Sequence, residues 1–163
     1  MLSLRLLHVA MVSPAPTAVP GFKWSSQWYP VLPVSYAVKD APNALSILGR
    51  KMVIWRSSES GWSCIEDACP HRLVPLSTGK VSEEGALVCR FHGWQFGADG
   101  NCISIPNANE ATAARLCGAA STCATSFPVR EEGGLLWVWP ERGPAAAAES
   151  RESVLATLPG AIV

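Results

Sequence analysis

Histidine is scarce in this chain, with three in 163 residues, so any site built on imidazoles must use nearly all of them. Net charge is missing altogether. Thirteen Lys and Arg balance thirteen Asp and Glu, which gives no support for nucleic-acid binding, a process that rests on a basic surface. No run of about eighteen apolar residues occurs, so no membrane span is expected. Acidic residues are absent before Asp40. An acid-poor, Ser- and Ala-containing start with Arg5 and the short apolar stretch Leu2–Val12 fits either the end of a transit sequence or a disordered terminus. What remains is a chain of 48% hydrophobic residues, long enough for one core-forming domain with flanking segments.

Against that background one pattern stands out: Cys69-Pro70-His71, then seventeen intervening residues, then Cys89-Arg90-Phe91-His92. Two thiolates and two imidazoles are the ligand set of a Rieske 2Fe-2S centre, in which two histidines replace two cysteines on one iron. Zinc also accepts two Cys and two His, but its usual spacing pairs like ligands at each corner of the site. Here each corner carries one of each kind. That suits a binuclear cluster gripped by two loops, each giving a thiolate to one iron and an imidazole to the other. A disulfide scaffold is the third reading, since there are six cysteines, at 64, 69, 89, 102, 117 and 123, though it leaves the histidines unexplained. A chance match is the fourth. If a cluster is bound, its charge matters: two ferric ions, two sulfides and two thiolates sum to zero, so an added electron is accepted more readily than by a four-thiolate centre.

The residues around the motif extend the argument. Cys69-Pro-His-Arg-Leu-Val-Pro-Leu-Ser-Thr-Gly79, Cys89-Arg-Phe-His-Gly-Trp-Gln-Phe96, Gly100-Asn-Cys-Ile-Ser-Ile-Pro106, Gly134-Leu-Leu-Trp-Val-Trp-Pro140 and the opening Gln27-Trp-Tyr-Pro-Val31 together resemble the Rieske domain of pheophorbide a oxygenase-like proteins. The likeness runs from about Trp24 to Pro140. It implies a 2Fe-2S cluster held by Cys69, His71, Cys89 and His92, a ferredoxin-type electron donor, and a chloroplast location. It also implies electron delivery to a mononuclear iron held by two histidines and a carboxylate. With His71 and His92 committed, only His8 remains, so that catalytic iron is expected in another part of a longer polypeptide or in a partner. The alternative is a free-standing Rieske-type ferredoxin or redox carrier. High-potential Rieske proteins of cytochrome bc-type complexes have extra cysteines and a serine near their ligands. Here Val74, Phe91 and Trp94 stand at the corresponding places, which implies fewer hydrogen bonds to the sulfurs and a lower potential.

Short β-branched and aromatic runs divided by turn clusters predict an all-β antiparallel domain, and the resemblance makes it a Rieske fold with a small cluster-binding subdomain built from two hairpin loops. Strands are expected at Trp28–Tyr36, Leu45–Leu48, Lys51–Arg56, Trp62–Asp67, Ala86–Cys89, Gln95–Ala98, Cys102–Ile105, Val129–Glu131 and Leu135–Trp139. Asp99-Gly100-Asn101 is a hairpin signal. The Ala-rich stretch Asn109–Ala124 reads as a loop with at most one helical turn. Residues 1–23 read as a disordered segment or targeting remnant, 24–141 as the 2Fe-2S domain, and 142–163 as a linker or tail. Trp94 and Phe96 are expected beneath the cluster, and Trp55, Trp62, Trp137 and Trp139 in the sheet core. Cys64, Cys102, Cys117 and Cys123 read as small buried or incidental residues, with a Cys117–Cys123 redox pair left open.

Overall fold

The structure, a computed structural model, describes residues 22–57 and 61–153. His8 and the apolar stretch Leu2–Val12 lie outside the described residues, as does the end of the expected tail. In chain order the strands are β1 (Tyr29–Pro33), β2 (Asn43–Ile47), β3 (Arg50–Ser57), β4 (Gly61–Glu66), β5 (Lys80–Val81), β6 (Leu87–Val88), β7 (Gln95–Phe96), β8 (Cys102–Ser104), β9 (Ser126–Phe127), β10 (Val129–Glu132) and β11 (Leu135–Val138). Two helices accompany them, α1 (Glu110–Cys117) and α2 (Pro144–Glu152). The pairings are antiparallel and make three sheets, ordered β1-β11-β10, β2-β3-β4-β9 and β5-β6-β7-β8.

The sheet containing β3 is the middle layer, and the sequence shows why. Along β3, Met52, Val53, Ile54 and Trp55 are all fully buried, as a strand covered on both faces must be. Alternation then sends neighbours to opposite sides. Met52 and Ile54 join Leu136 and Val138 in one core, whereas Val53 and Trp55 join Leu87, Phe96, Cys69 and Cys89 in the other. The β2–β3 turn is tight, with Leu48 and Gly49 both at positive φ (51° and 76°), the backbone that two-residue hairpins require. All four tryptophans expected in the sheet core are buried. Trp55 also donates its indole N–H to Gly85 C=O at 3.0 Å, which ties the middle sheet to the β5–β8 subdomain.

The predicted strands appear with shifted ends: β1 is shorter than Trp28–Tyr36, whereas β3 runs one residue beyond Lys51–Arg56 at each end. The two-residue strands β5 and β9 went unpredicted, since neither Lys80-Val81 nor Ser126-Phe127 stands in a β-branched or aromatic run bounded by turn residues. Larger differences concern the helices. Glu110–Cys117 forms two turns of α-helix where a loop was expected. Asn109 caps it, accepting the Thr112 N–H at 2.9 Å, and Ala is the best helix former, so cap and propensity together outweigh the lack of a strong apolar stripe. The stretch read as linker or tail likewise contains a helix. Pro144 opens α2 at a position where its missing N–H costs nothing. Ala146 and Ser150, four residues apart on one face, are buried against the domain. From β10, Arg130 donates to the carbonyls of Ser150, Arg151 and Ser153 at the helix C-terminus (2.5, 3.3 and 3.3 Å), where a cation is favoured. Its guanidinium also lies 4.6 Å from the Trp28 ring centroid, and Trp28 donates to Ser150 C=O.

Removing the large side chain between middle sheet and subdomain leaves a cavity and an unpaired Gly85 carbonyl. Trp55→Ala is therefore expected to lower unfolding stability by about 3–5 kcal/mol in a denaturant titration. Phe22→Ala, at an exposed position, should stay within about 0.5 kcal/mol of the parent. Equal, small effects at both sites would contradict this account of the core.

Candidate metal centre

Two loops at one end of the β5–β8 subdomain carry the four donors. The first leads from β4 to β5 and contains Cys69 and His71; the second caps the β6–β7 hairpin and contains Cys89 and His92. Both loops close with the same pair of backbone bonds. Cys69 N–H donates to Val74 C=O at 2.9 Å and Leu73 N–H to Cys69 C=O at 2.7 Å. Cys89 N–H donates to Trp94 C=O at 2.8 Å and Gly93 N–H to Cys89 C=O at 3.0 Å. The fifth residue of each loop, Leu73 or Gly93, takes a left-handed conformation, with φ of 56° and 70°. For Gly93 the choice of residue is forced twice, since a Cβ there would also meet Pro106 Cγ at 2.8 Å. The two histidines thus leave a shared frame one position apart, at the third and fourth residues.

The donors sort by type. Cys69 and Cys89 are each 2% exposed, and the two thiols stand close enough for Cys89 to raise the pKa of Cys69. His71 and His92 lie at the surface with ring centroids 4.7 Å apart at 64°. Among the described residues, no three His, Cys, Asp or Glu side chains gather tightly enough to hold a single metal ion. A buried thiol pair beside an exposed imidazole pair is instead the arrangement of a binuclear group, which asks two protein ligands of each metal.

Electrostatics differ between the pairs. Burial pushes the Cys69 thiol up to about 11, with the Cys89 thiol adding to the rise, while the backbone N–H groups of His71 and Arg72, bonded to its sulfur, oppose it. Those amides stabilise the thiolate, the form that binds metal. Partial desolvation and the neighbouring His92 and Arg72 hold the His71 imidazole below its ordinary range, which favours the neutral form that can ligate a metal.

Two further residues set this geometry, and sequence reading did not give them these roles. Trp94, expected beneath the centre, stacks flat on His71, with centroids 4.9 Å apart and ring planes 3° apart. It belongs to the second loop and His71 to the first, so the stack fixes one loop against the other. Asp67 is buried, and its two carboxylate oxygens accept from the Ser77 N–H and Ser77 hydroxyl, both at 2.7 Å. That clamp fastens the end of β4 to the short 3-10 turn Leu76–Thr78 and so fixes both ends of the first loop. The only signal for it in the sequence was an acidic residue at the end of an apolar strand.

Residues 27–128 match the family model of the Rieske [2Fe-2S] domain. The chain is 41% identical over 133 residues to pheophorbide a oxygenase, chloroplastic, of Arabidopsis thaliana, covering 80% of this chain and 25% of that protein. It is 42% identical over 122 residues to the protein of the same name from Oryza sativa subsp. japonica, covering 74% of this chain and 23% of that one. Among solved structures, apo dicamba monooxygenase superposes with a TM-score of 0.66 at 31% identity, over 77% of this chain and 35% of that one. The chain therefore spans about a quarter of the length of these curated relatives.

Because Asp67 is a buried charged acceptor with two short bonds, its removal leaves both Ser77 donors unpaired. Asp67→Ala is expected to cost about 1.5–3 kcal/mol of unfolding stability. Ser77→Ala should cost less, since it keeps the backbone bond. Denaturant titration of the two variants checks the order, and a larger loss for Ser77→Ala would contradict the clamp.

Proposed function

As the chain belongs to the family of Rieske [2Fe-2S] domains, we propose that it acts as the electron-input domain of an oxygenase, with Cys69 and Cys89 ligating one iron and His71 and His92 the other. The observation that carries the ligand assignment is the sorting of the donors into a buried thiol pair and an exposed imidazole pair on two loops of matching backbone. The donor chemistry fits the group that the family carries. When bound, a 2Fe-2S cluster supplies reversible one-electron exchange at a potential raised by its histidine ligands.

Each surrounding residue has a part in this reading. The amides of His71 and Arg72 donate to the Cys69 sulfur and offset part of the cost that burial imposes on its thiolate. Trp94 orients the His71 ring, and the buried aromatic and aliphatic cluster around Cys69 and Cys89 keeps water from the sulfurs. The imidazole edges are left at the surface, where an electron can enter or leave. Leu73 and Phe91 stand exposed beside them (74% and 61%), and Phe91 packs edge-on against His92. With Arg72 and Arg90 also exposed, this rim suits a partner with an acidic, partly apolar face, and a ferredoxin-type protein is proposed as the donor.

Catalysis is assigned elsewhere. The acceptor is proposed to be a mononuclear iron in a further part of the polypeptide or in a partner, because His8 is the single histidine not used here. The chloroplastic names of the relatives support a chloroplast location. Among the described residues no helix is long and apolar enough to cross a membrane.

Protein prepared anaerobically from iron-replete cells is expected to contain about two irons and two labile sulfides per chain, and to give a Rieske-type EPR signal on reduction. His71→Ala or His92→Ala should abolish that signal, whereas Cys64→Ala, remote in the other core, should preserve it. Stoichiometric zinc in place of iron would overturn the assignment.

A further inference from the structure

Three cysteines outside the metal centre converge where α1 meets β8. Cys102, on β8, is 5% exposed. Cys117, the last residue of α1, packs against the same buried cluster that contains Cys102. α1 packs on β8, and the Cys117 and Cys123 thiols stand close enough to Cys102 to act on its thiol electrostatically. Cys123 follows the 3-10 turn after α1 and donates its S–H to Ala119 C=O at 3.6 Å. All three are free thiols, and Cys117 and Cys123 are only half-buried. Adjacent thiols on two packed elements can be joined by oxidation to a disulfide.

We propose that Cys102 and Cys117 form a thiol–disulfide modification site, oxidised by exchange with a small-molecule or protein disulfide and reduced by a dithiol. The steps follow from accessibility. Half-buried Cys117 attacks a sulfur of glutathione disulfide, forming a mixed disulfide and releasing one glutathione thiol. Buried Cys102 then attacks the Cys117 sulfur, a Cys102–Cys117 bond forms, and the second glutathione leaves, carrying the proton that Cys102 gives up. Two protein thiols are oxidised and one glutathione disulfide is reduced to two thiols. Burial, followed by the neighbouring Cys117 thiol, pushes the Cys102 thiol up to about 12, so it makes a poor first attacker and takes the resolving part.

The position gives the bond a structural effect. β8 is an edge strand of the β5–β8 sheet, and α1 touches it without sharing its backbone ladder. A covalent link there closes the loop from Cys102 to Cys117 and restricts the unfolded chain, which raises the thermal midpoint of the oxidised form. Cys102 faces Phe96 across the β7–β8 pairing and shares a core with Cys69 and Cys89. A two-electron thiol couple is thus built into the subdomain that carries the candidate metal centre, without using any of its four donors.

The test takes the 163-residue chain as purified, with whatever metal group it carries, and equilibrates it anaerobically in glutathione and glutathione disulfide at graded ratios before acid quench, alkylation and peptide mapping. As the ratio becomes oxidising, Cys102 and Cys117 should lose alkylation together and appear in one cross-linked peptide pair, while Cys64 stays alkylated throughout. Cys123→Ser should retain the link and Cys117→Ser should lose it, with fragmentation of the wild-type linked peptide locating the bond independently. Full alkylation of Cys102 at every ratio, a glutathione adduct that does not resolve, or a link that persists in Cys117→Ser would each overturn the proposal. None of these readouts depends on iron, so a failure here is distinct from a failure of the 2Fe-2S assignment.

Discussion

Four consecutive residues of β3, Met52 to Trp55, are buried on both faces of the middle sheet, and the rest of the structure depends on that double burial. One face seals the core shared with β10 and β11; the other seals the core in which Cys69 and Cys89 lie. Trp55 adds a directional bond to the apolar contact by donating to Gly85. The subdomain with the candidate centre is therefore braced against a layer that cannot shift without opening two cores at once. Close packing of this kind transmits small displacements instead of absorbing them, which suits a site that must hold four donors from two loops.

Within the subdomain, repetition does much of the work. Both loops close by the same two backbone bonds and turn through a left-handed residue. The second uses Gly93, and the first accepts the strain of Leu73, on the order of 1 kcal/mol for a side chain in that region. The strain lies at the exposed rim beside His71, where Leu73 offers apolar surface to a partner. Asp67 anchors this first loop to the following turn, and Trp94 reaches across from the second loop to stack on His71. The two loops are thus held by different means, one by a buried carboxylate and the other by hairpin pairing, with the aromatic stack joining them.

The C-terminal helix and the three thiols show how contacts remote in sequence change the meaning of a segment. An Ala-rich stretch after a Gly-Pro pair has the composition of a linker. It becomes a docked helix because Arg130 reaches its last carbonyls and Trp28 meets Ser150. Cys102 and Cys117, fifteen positions apart, meet because Asn109 starts a helix whose end returns to β8. Neither outcome follows from local propensity, which says whether a helix can form but not what it will touch.

The donor types, their order and the turns that present them can all be read along the chain. Cys-Pro-His and Cys-Arg-Phe-His are covalent facts, and their thiolates and imidazoles can be read for chemistry without coordinates. Most strands were legible for a similar reason, because β-branched and aromatic runs bounded by turn residues reflect short-range backbone preferences. Trp55 could be read as core, but not its bond to Gly85. It took the packing of the sheets to pair the cysteines in the interior and the histidines at the surface, to lay Trp94 flat on His71, and to clamp Ser77 with Asp67. The physical reason is that burial, ring stacking and charge environment belong to neighbours distant in the chain, and those neighbours are chosen by how three sheets pack around a shared core.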